Sequence, residues 1–209
     1  MDIDFDRIGG ADIYAWMSNL IAPRPIAWVS SSSGSGVANL APYSYFNAVG
    51  TRPPTLMFCP ANHSDGREKD TLVNVRRSGQ FVVNLVTPEV ASAMNATAAD
   101  VDAEVSEFEL AGIDRVHSST VDVPRVADAV AAFECGLHSV VTLAAGPGGA
   151  NLVIGRIRSV YVADDFVDDV DGRPLPNAES LHNRFHPIGR MGGPNYARTA
   201  DQFEIDRPS

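Results

Sequence analysis

The chain has 209 residues, of which 44% are hydrophobic and 20% are charged, and its formal net charge is −10. This composition is that of a globular protein, and the length suits a single domain over residues 1–209 with a core of its own. Nucleic-acid-binding proteins carry basic patches because phosphate contacts supply much of their affinity. No run rich in Lys or Arg occurs here, so neither nucleic acid nor an anionic membrane surface is an expected partner.

The first residues are acidic and lack an apolar signal core, and no apolar run approaches the ~20 residues that span a bilayer. We therefore expect a cytoplasmic protein. Short apolar runs separated by turn residues predict the secondary structure. In chain order they first predict a helix over residues 12–20, strands over 26–30 and from 37, and a strand over 55–59. A helix over 70–78, a strand over 80–86 and helices over 87–96 and 102–110 follow. Long strands are predicted over 133–144 and 151–163, and a loop-rich tail from residue 164.

These elements amount to about six or seven strands and three or four short helices. The strands follow one another through hairpin-like turns such as residues 31–36, and not in alternation with helices. A parallel doubly wound sheet is therefore disfavoured. The predicted fold class is mainly β with peripheral helices, arranged as a small antiparallel barrel.

Three further patterns do not predict a cofactor or metal site. The segment GSGVAN at residues 34–39 lacks the third glycine of a dinucleotide fingerprint and no helix follows it, so a hairpin turn is the better interpretation. His182 and His186 have no further ligand beside them, and a proline follows directly, so we expect no metal there. Cys59 and Cys135 lie in apolar stretches typical of buried free thiols.

Residues 67–71, with the sequence REKDT, stand where a helix is predicted to begin. The free N–H groups of a helix N-terminus suit a phosphate. Lys69, the only lysine in the chain, would add a positive charge, and Thr71 would add a hydroxyl donor. Asp70 by itself is explained as an N-cap residue, so a phosphate site and a plain capped helix both remain open.

The segment from Asn39 to Asn47 mixes amides, hydroxyls and aromatic rings with breaks in the backbone pattern. Such a mixture suits an aromatic heterocycle with a polar edge, although an amphipathic strand without a ligand can also contain it. Residues 100–109 hold five carboxylates and no basic residue, which predicts a solvated helix face and not a binding site. No Ser/His/Asp or Cys/His constellation can be assembled, so no catalytic residue is assigned.

Three segments together resemble the flavin reductase-like, FMN-binding split-barrel family. They are PRPIAWVSSSSGSGVANLAPYSYFNAVGTRPPTLMF, KDTLVNVRRSGQFVVNLV and the tail DGRPLPNAESLHNRFHPIGRMGGPNYAR, in which an R-x-G-G-x-x-Y pattern occurs. The resemblance runs from about residue 20 to residue 197. It implies an antiparallel split β-barrel, a homodimer, and FMN bound near the interface between subunits.

The resemblance also suggests a role for each site residue. It implies that the isoalloxazine edge is lined by Asn39, Leu40, Ala41 and Pro42, and that Ser44 and Phe46 continue this wall. It implies that the phosphate is held by Lys69, Asp70 and Thr71, and that Arg190 approaches the flavin or phosphate from the partner chain. Ser30 is a further implied contact. Two functions follow as expectations. One is an NAD(P)H-dependent flavin reductase that supplies free flavin or a partner monooxygenase, and the other is an FMN electron carrier or regulator with little nicotinamide activity.

Overall fold

A computed structural model describes residues 1–208 of the chain. Its strands are β1 (Arg24–Pro25), β2 (Ala27–Ser32), β3 (Ala38–Tyr43), β4 (Phe46–Thr51), β5 (Pro54–Phe58), β6 (Gln80–Asn84), β7 (Arg115–Val116), β8 (Arg125–Val126), β9 (Ala131–Thr142), β10 (Asn151–Val162), β11 (Val167–Val170), β12 (Arg173–Pro176), β13 (Gly189–Arg190) and β14 (Tyr196–Ala197). Its α-helices are α1 (Gly10–Leu20), α2 (Asp70–Ser78), α3 (Ala91–Ala96), α4 (Glu107–Leu110) and α5 (Ala178–Arg184). Short 3₁₀ helices occupy Phe5–Arg7, Pro88–Val90 and Asp164–Phe166. No helix of residues 1–208 is long and apolar enough to cross a membrane.

Seven strands form one antiparallel sheet in the order β3-β2-β6-β9-β10-β5-β4. The two strands at its opposite edges, β3 and β4, are neighbours in sequence and are joined only by Ser44 and Tyr45. The sheet must therefore curl until its edges meet. At the meeting point the ring of Tyr43 lies 5.2 Å from that of Phe58, between centroids. No ladder joins β3 to β4 within residues 1–208, so the barrel is split there, as the family resemblance implies.

The two larger of three apolar clusters lie on the two faces of the rolled sheet. Phe58 and Phe81 pack edge to face inside the barrel, with centroids 5.3 Å apart. Trp28 anchors the other cluster and donates its indole N–H to the Thr97 hydroxyl at 2.8 Å. This bond satisfies the one polar atom of a fully buried side chain, and it ties α3 to the barrel.

The β2–β3 hairpin is confirmed, but its strands are longer than predicted. β2 continues to Ser32, so the loop is shorter than residues 31–36, and β3 continues through Pro42 to Tyr43. Pro42 is tolerated because β3 is an edge strand. The N–H of Leu40 points away from β2, toward Glu107. Because the direction of the N–H alternates from residue to residue along a strand, the missing N–H of Pro42 also lies on the open edge.

The predicted helix over residues 70–78 is confirmed, and it ends at Gly79, whose φ is +69°. Its N-cap residue is Lys69, however, and no side chain caps the helix. The interpretation of Asp70 as the N-cap is therefore wrong, because Asp70 is the first helical residue.

Three other expectations need correction. The sequence analysis missed β4, whose residues from Asn47 onward are exposed and carry no clear apolar alternation. The helix expected over residues 102–110 is reduced to α4, Glu107–Leu110. The tail contains the β11–β12 hairpin and α5, although it was predicted to be loop-rich.

Candidate functional site

The split in the barrel opens into a cavity of about 110 Å³ beside the second half of β3. One wall is β3 and the opposite wall is the N-terminus of α2. The lining residues are Asn39, Ala41, Pro42, Tyr43, His63, Lys69, Asp70, Thr71, Thr97, Ala98, Ala99, Asp100, Val101 and Glu107. Two segments that the sequence analysis singled out separately therefore face the same space.

The first half of the β3 edge is covered by the chain around α4. Ser106 donates its hydroxyl to the carbonyl of Ala38 at 2.6 Å, and Glu107 Oε2 accepts the N–H of Leu40 at 2.9 Å. These bonds use the edge groups that would otherwise seek a partner strand. The edge from Ala41 to Tyr43 remains beside the cavity, where a ligand can reach its backbone.

The N-terminus of α2 presents free donors to the same cavity. Lys69 accepts the N–H groups of Leu72 and Val73 on its carbonyl, and no hydrogen bond within residues 1–208 uses the N–H of Asp70 or of Thr71. Two adjacent backbone N–H groups at the positive end of a helix dipole form a site for an anion. The lysine side chain adds a full positive charge beside them.

A buried network of side chains fixes the wall behind these donors. Asn39 Oδ1 accepts the hydroxyl protons of Thr71 at 2.8 Å and of Ser31 at 3.1 Å, and Asn39 Nδ2 donates to Glu107 Oε1 at 2.6 Å. Asn74 in turn donates to Ser31 Oγ at 3.2 Å. Because the Thr71 hydroxyl proton is directed at Asn39, the donor that Thr71 offers to the cavity is its backbone N–H.

Tyr43 extends this wall. Burial raises the pKa of its phenol above the ordinary value. The phenol is therefore neutral at physiological pH and serves as a hydrogen-bonding group.

Lys69 lies at the mouth of the cavity in a cluster with His63 and Asp100. Its Nζ is 3.1 Å from His63 Nδ1 and 3.2 Å from Asp100 Oδ1. The Asp100 oxygen is also 3.2 Å from His63 Nδ1. The bond to Lys69, and then the nearby His63, hold the pKa of Asp100 below its ordinary value.

A second cavity, of about 360 Å³, begins where the chain enters β4. Phe46, Asn47 and Ala48 line it. Its other lining residues are mostly apolar: Pro23, Pro25, Ile26, Leu85, Val86, Phe133, Pro187, Ile188, Gly189 and Thr199. The polar cavity and the apolar one thus lie at the two ends of the turn formed by Ser44 and Tyr45.

Four of the residues suggested as ligand contacts line neither cavity with their side chains. Ser30 is buried and donates to the Pro124 carbonyl at 2.6 Å, and the Leu40 side chain lies in the core. Ser44 Oγ is 3.5 Å from Arg24 Nε, beside the turn. Arg190 lies on β13 opposite Arg24 and donates to the Tyr196 hydroxyl, which in turn donates to Asn95 Oδ1 on α3.

The interpretation of residues 100–109 as a solvated face is wrong in part. Asp100 belongs to the cluster at the cavity mouth, and Glu107 is a buried acceptor that is 6% exposed. The sequence analysis also missed His63. One signal in the sequence could have separated Glu107 from its exposed neighbours, namely the apolar residue Phe108 directly after it.

No group of three or more His, Cys, Asp or Glu side chains within residues 1–208 could hold a metal ion. His186 Nε2 lies 3.0 Å from the Asn183 carbonyl. Both cysteines are free, with Cys135 buried and Cys59 partly exposed. Burial raises the pKa of Cys135 to about 12 and also raises that of Cys59, so neither thiol is activated as a nucleophile.

Known proteins share this architecture. The model of the flavin reductase like domain matches residues 17–177. The 2-nitrobenzoate 2-nitroreductase NbaA of Pseudomonas fluorescens superposes with a TM-score of 0.87 at 33% identity, over 100% of this chain and 97% of that one. Nitrilotriacetate monooxygenase component B from Bacillus cereus gives a TM-score of 0.87 at 35% identity, over 98% of both chains.

Sequence comparison agrees with the structural one. An uncharacterized protein of Aquifex aeolicus (strain VF5) is 36% identical over 205 residues, which cover 98% of this chain and 99% of that protein. The match of the family model, the shared architecture and these full-length likenesses lead to one conclusion: the chain belongs to the flavin reductase-like family.

Proposed function

We propose that this protein binds FMN and acts as an NAD(P)H-dependent flavin reductase. One observation carries the proposal. The split in the barrel brings the open edge of β3, the free N–H groups of α2 and Lys69 to a single cavity, and an apolar cavity lies at the other end of the Ser44–Tyr45 turn. A flavin mononucleotide has the matching parts, namely a phosphate, a ring with a hydrogen-bonding edge and an apolar ring face.

The donors around Lys69 fit a phosphate. Asp70 and Thr71 line the cavity at the start of a nine-residue helix, no hydrogen bond within residues 1–208 uses their N–H groups, and Lys69 is the N-cap residue. Charge-assisted hydrogen bonds from an ammonium to phosphate are among the stronger ones in proteins. These three groups would hold the phosphate.

The edge of β3 fits the polar side of the ring system. Pro42 has no N–H, and the N–H groups of Ala41 and Tyr43 face β2, so at this point the open edge of the strand offers a carbonyl acceptor. Tyr43 contributes a neutral phenol to the wall. Phe46 would place an aromatic face against the ring at the entrance to the apolar cavity.

Bound FMN would supply hydride acceptance at its N5 atom and onward transfer of electrons singly or in pairs. The protein would then need to bind, orient and exclude water, and it would need no general acid or base. This agrees with a cavity whose carboxylates are used for structure, as in Glu107, or paired with a cation, as in Asp100. The sequence likeness to a monooxygenase component B supports a partner oxygenase as the acceptor of the electrons.

We also propose a homodimer. Helix α1 buries only Ser18, while Trp16, Leu20 and Ile21 are 42%, 73% and 57% exposed. An apolar helix surface of this kind is typical of an interface. In this dimer a second copy would cover α1 and the exposed strand β4.

Anaerobic stopped-flow spectroscopy tests the proposed reaction. Protein loaded with FMN is mixed with NADH or NADPH, and absorbance is followed at the flavin band. Loss of absorbance at the flavin band after mixing with either nucleotide supports the proposed reductase activity. Bound FMN that neither nucleotide reduces would favour the electron carrier, and absence of FMN binding at micromolar protein would overturn the proposal.

A further inference from the structure

The contact between Asp100 and Lys69 bears on how the cavity selects its ligand. A single carboxylate oxygen of Asp100 lies 3.2 Å from Lys69 Nζ and 3.2 Å from His63 Nδ1. The ammonium is therefore paired with a carboxylate of its own chain. A phosphate that binds the same ammonium must share it with Asp100 or replace Asp100.

The charges around the small cavity make sharing unfavourable. Asp70, Asp100 and Glu107 line it with three carboxylates, and Lys69 is its one permanently charged cation. A phosphate that enters with Asp100 in place adds negative charge where negative charge is already in excess. Like charges within a few ångströms repel even in a partly solvated site.

Among the three carboxylates, Asp100 is the one that is free to leave. Glu107 is buried and accepts bonds from Asn39 and Leu40. Asp70 is fixed in the first turn of α2, where a negative charge interacts favourably with the helix dipole. The Asp100 side chain is 72% exposed, so it can rotate into water at small cost, whereas the side chains of Lys69 and His63 are 36% and 11% exposed.

We propose that Asp100 is an internal competitor for the phosphate site, and that it occupies Lys69 until the FMN phosphate displaces it. This inference rests on the proposed function, in which Lys69 holds that phosphate. Asp100 then lowers the affinity for FMN, leaves that for riboflavin unchanged, and so sets how strongly the site prefers the phosphorylated flavin. It also takes Lys69 back as the phosphate departs, which favours release of the flavin to an acceptor.

The test compares flavin affinities of the full-length wild type and two variants by fluorescence titration. Asp100→Asn removes the competing charge from an exposed side chain without changing its shape. Asp102→Asn is the matched control, because it makes the same charge change two residues away, where no salt bridge forms within residues 1–208. We expect Asp100→Asn to bind FMN about three- to tenfold tighter and riboflavin within about twofold of wild type, while Asp102→Asn is unchanged for both.

A second background separates competition for Lys69 from general charge repulsion. In Lys69→Ala there is no ammonium to compete for, so adding Asp100→Asn should gain less than about twofold for FMN. A full gain in that background would overturn the inference, as would FMN binding by Asp100→Asn that is equal to or weaker than that of wild type. A wild type that binds no flavin would instead reject the proposed function, so the two failures are distinguishable.

Discussion

The carboxylate of Glu107 accepts a hydrogen bond of 2.6 Å from the side-chain amide of Asn39, which lies 68 residues earlier in the chain. This contact sets the orientation of the amide. With its NH₂ group committed to Glu107, the oxygen of Asn39 faces Thr71 and Ser31. The contact therefore joins the acidic segment, the edge of β3 and the N-terminus of α2 in one network.

Replacement of Glu107 by Gln should disturb this network. In one orientation the glutamine NH₂ group would face the NH₂ group of Asn39, and in the other it would face the N–H of Leu40 and lose that bond. Hydrogen bonds to a charged group contribute about 1.5–3 kcal/mol. We expect a free energy of unfolding lower by about 2 kcal/mol and weaker binding of FMN and riboflavin alike. Chemical denaturation and flavin titrations measure both effects.

The control for Glu107 comes from the same segment. Asp102 and Glu104 are exposed, and neutralising both should change stability and flavin affinity little, because solvated charges contribute little. If the double variant lost as much as Glu107→Gln, net charge and not the buried contact would be responsible.

Substitution of Lys69 by Ala tests the phosphate site. A charge-assisted bond of about 1.5–3 kcal/mol corresponds to FMN binding that is about ten- to a hundredfold weaker. Riboflavin lacks the phosphate, so its affinity should barely change, and Lys69→Arg should be intermediate because its charge remains in a planar group. Equal losses of affinity for both flavins would contradict a contact between Lys69 and the phosphate, and α2 would then be a helix that binds no ligand.

Addition of a methyl group at Gly155 should destabilise the barrel. A Cβ there would collide with the ring of Phe81 and touch Cys135 at 3.4 Å, and overpacking of a core costs about 1–3 kcal/mol. Thermal unfolding of Gly155→Ala measures the loss. Gly10→Ala in α1 is the control, since a Cβ at that position meets no atom within 4 Å. A Gly155→Ala variant as stable as wild type would show that Phe81 can move aside.

Glu134 should make stability depend on pH in the acid range. It is buried, and its carboxylate accepts the N–H groups of Ser119 at 2.8 Å and of Thr120 at 2.6 Å, as well as both hydroxyls. Burial raises the pKa of Glu134, but these bonds outweigh it, so the pKa lies below the ordinary 4.5. The unfolded chain therefore binds the proton more readily, and this stabilisation is present above about pH 4.5 and is lost as pH falls below it.

A comparison with Glu134→Gln isolates this contribution. We expect the variant to be less stable by about 2 kcal/mol near pH 7, with a difference from wild type that shrinks as pH falls below about 4.5. The free energy of unfolding measured by urea across this range would show it. A difference independent of pH would mean that Glu134 does not titrate with folding.

The proposed dimer predicts the effect of a charge on α1. Leu20→Glu places a carboxylate on a side chain that is 73% exposed in one subunit. We expect the variant to remain folded, because the side chain is not in the core, and to shift toward the monomer. Light scattering with FMN present should then give a mass near 22.3 kDa, against twice that for wild type. A wild type that scatters as a monomer would contradict the dimer itself.

Local patterns in the sequence predicted much of the scaffold. Apolar spacing with Gly79 as a stop predicted α2, β-branched runs predicted the central strands, and hairpin order predicted an antiparallel mainly β fold. These features depend on residues close together in the chain. The two segments around Asn39 and Lys69, which line one cavity, were also singled out separately, because each carries residue types that ordinary strands and helices do not need.

Only the tertiary structure decided which distant groups share the cavity. Glu107 and Asp102 have the same charge and stand in the same acidic run, yet the curl of the sheet buries Glu107 against Asn39 and leaves Asp102 in water. The role of Asp100 depends in the same way on where the chain after α3 crosses the N-terminus of α2. Contacts across 30 to 70 residues arise from the closure of the sheet and leave no periodic signal in the sequence, so composition alone assigned all three carboxylates to one solvated face.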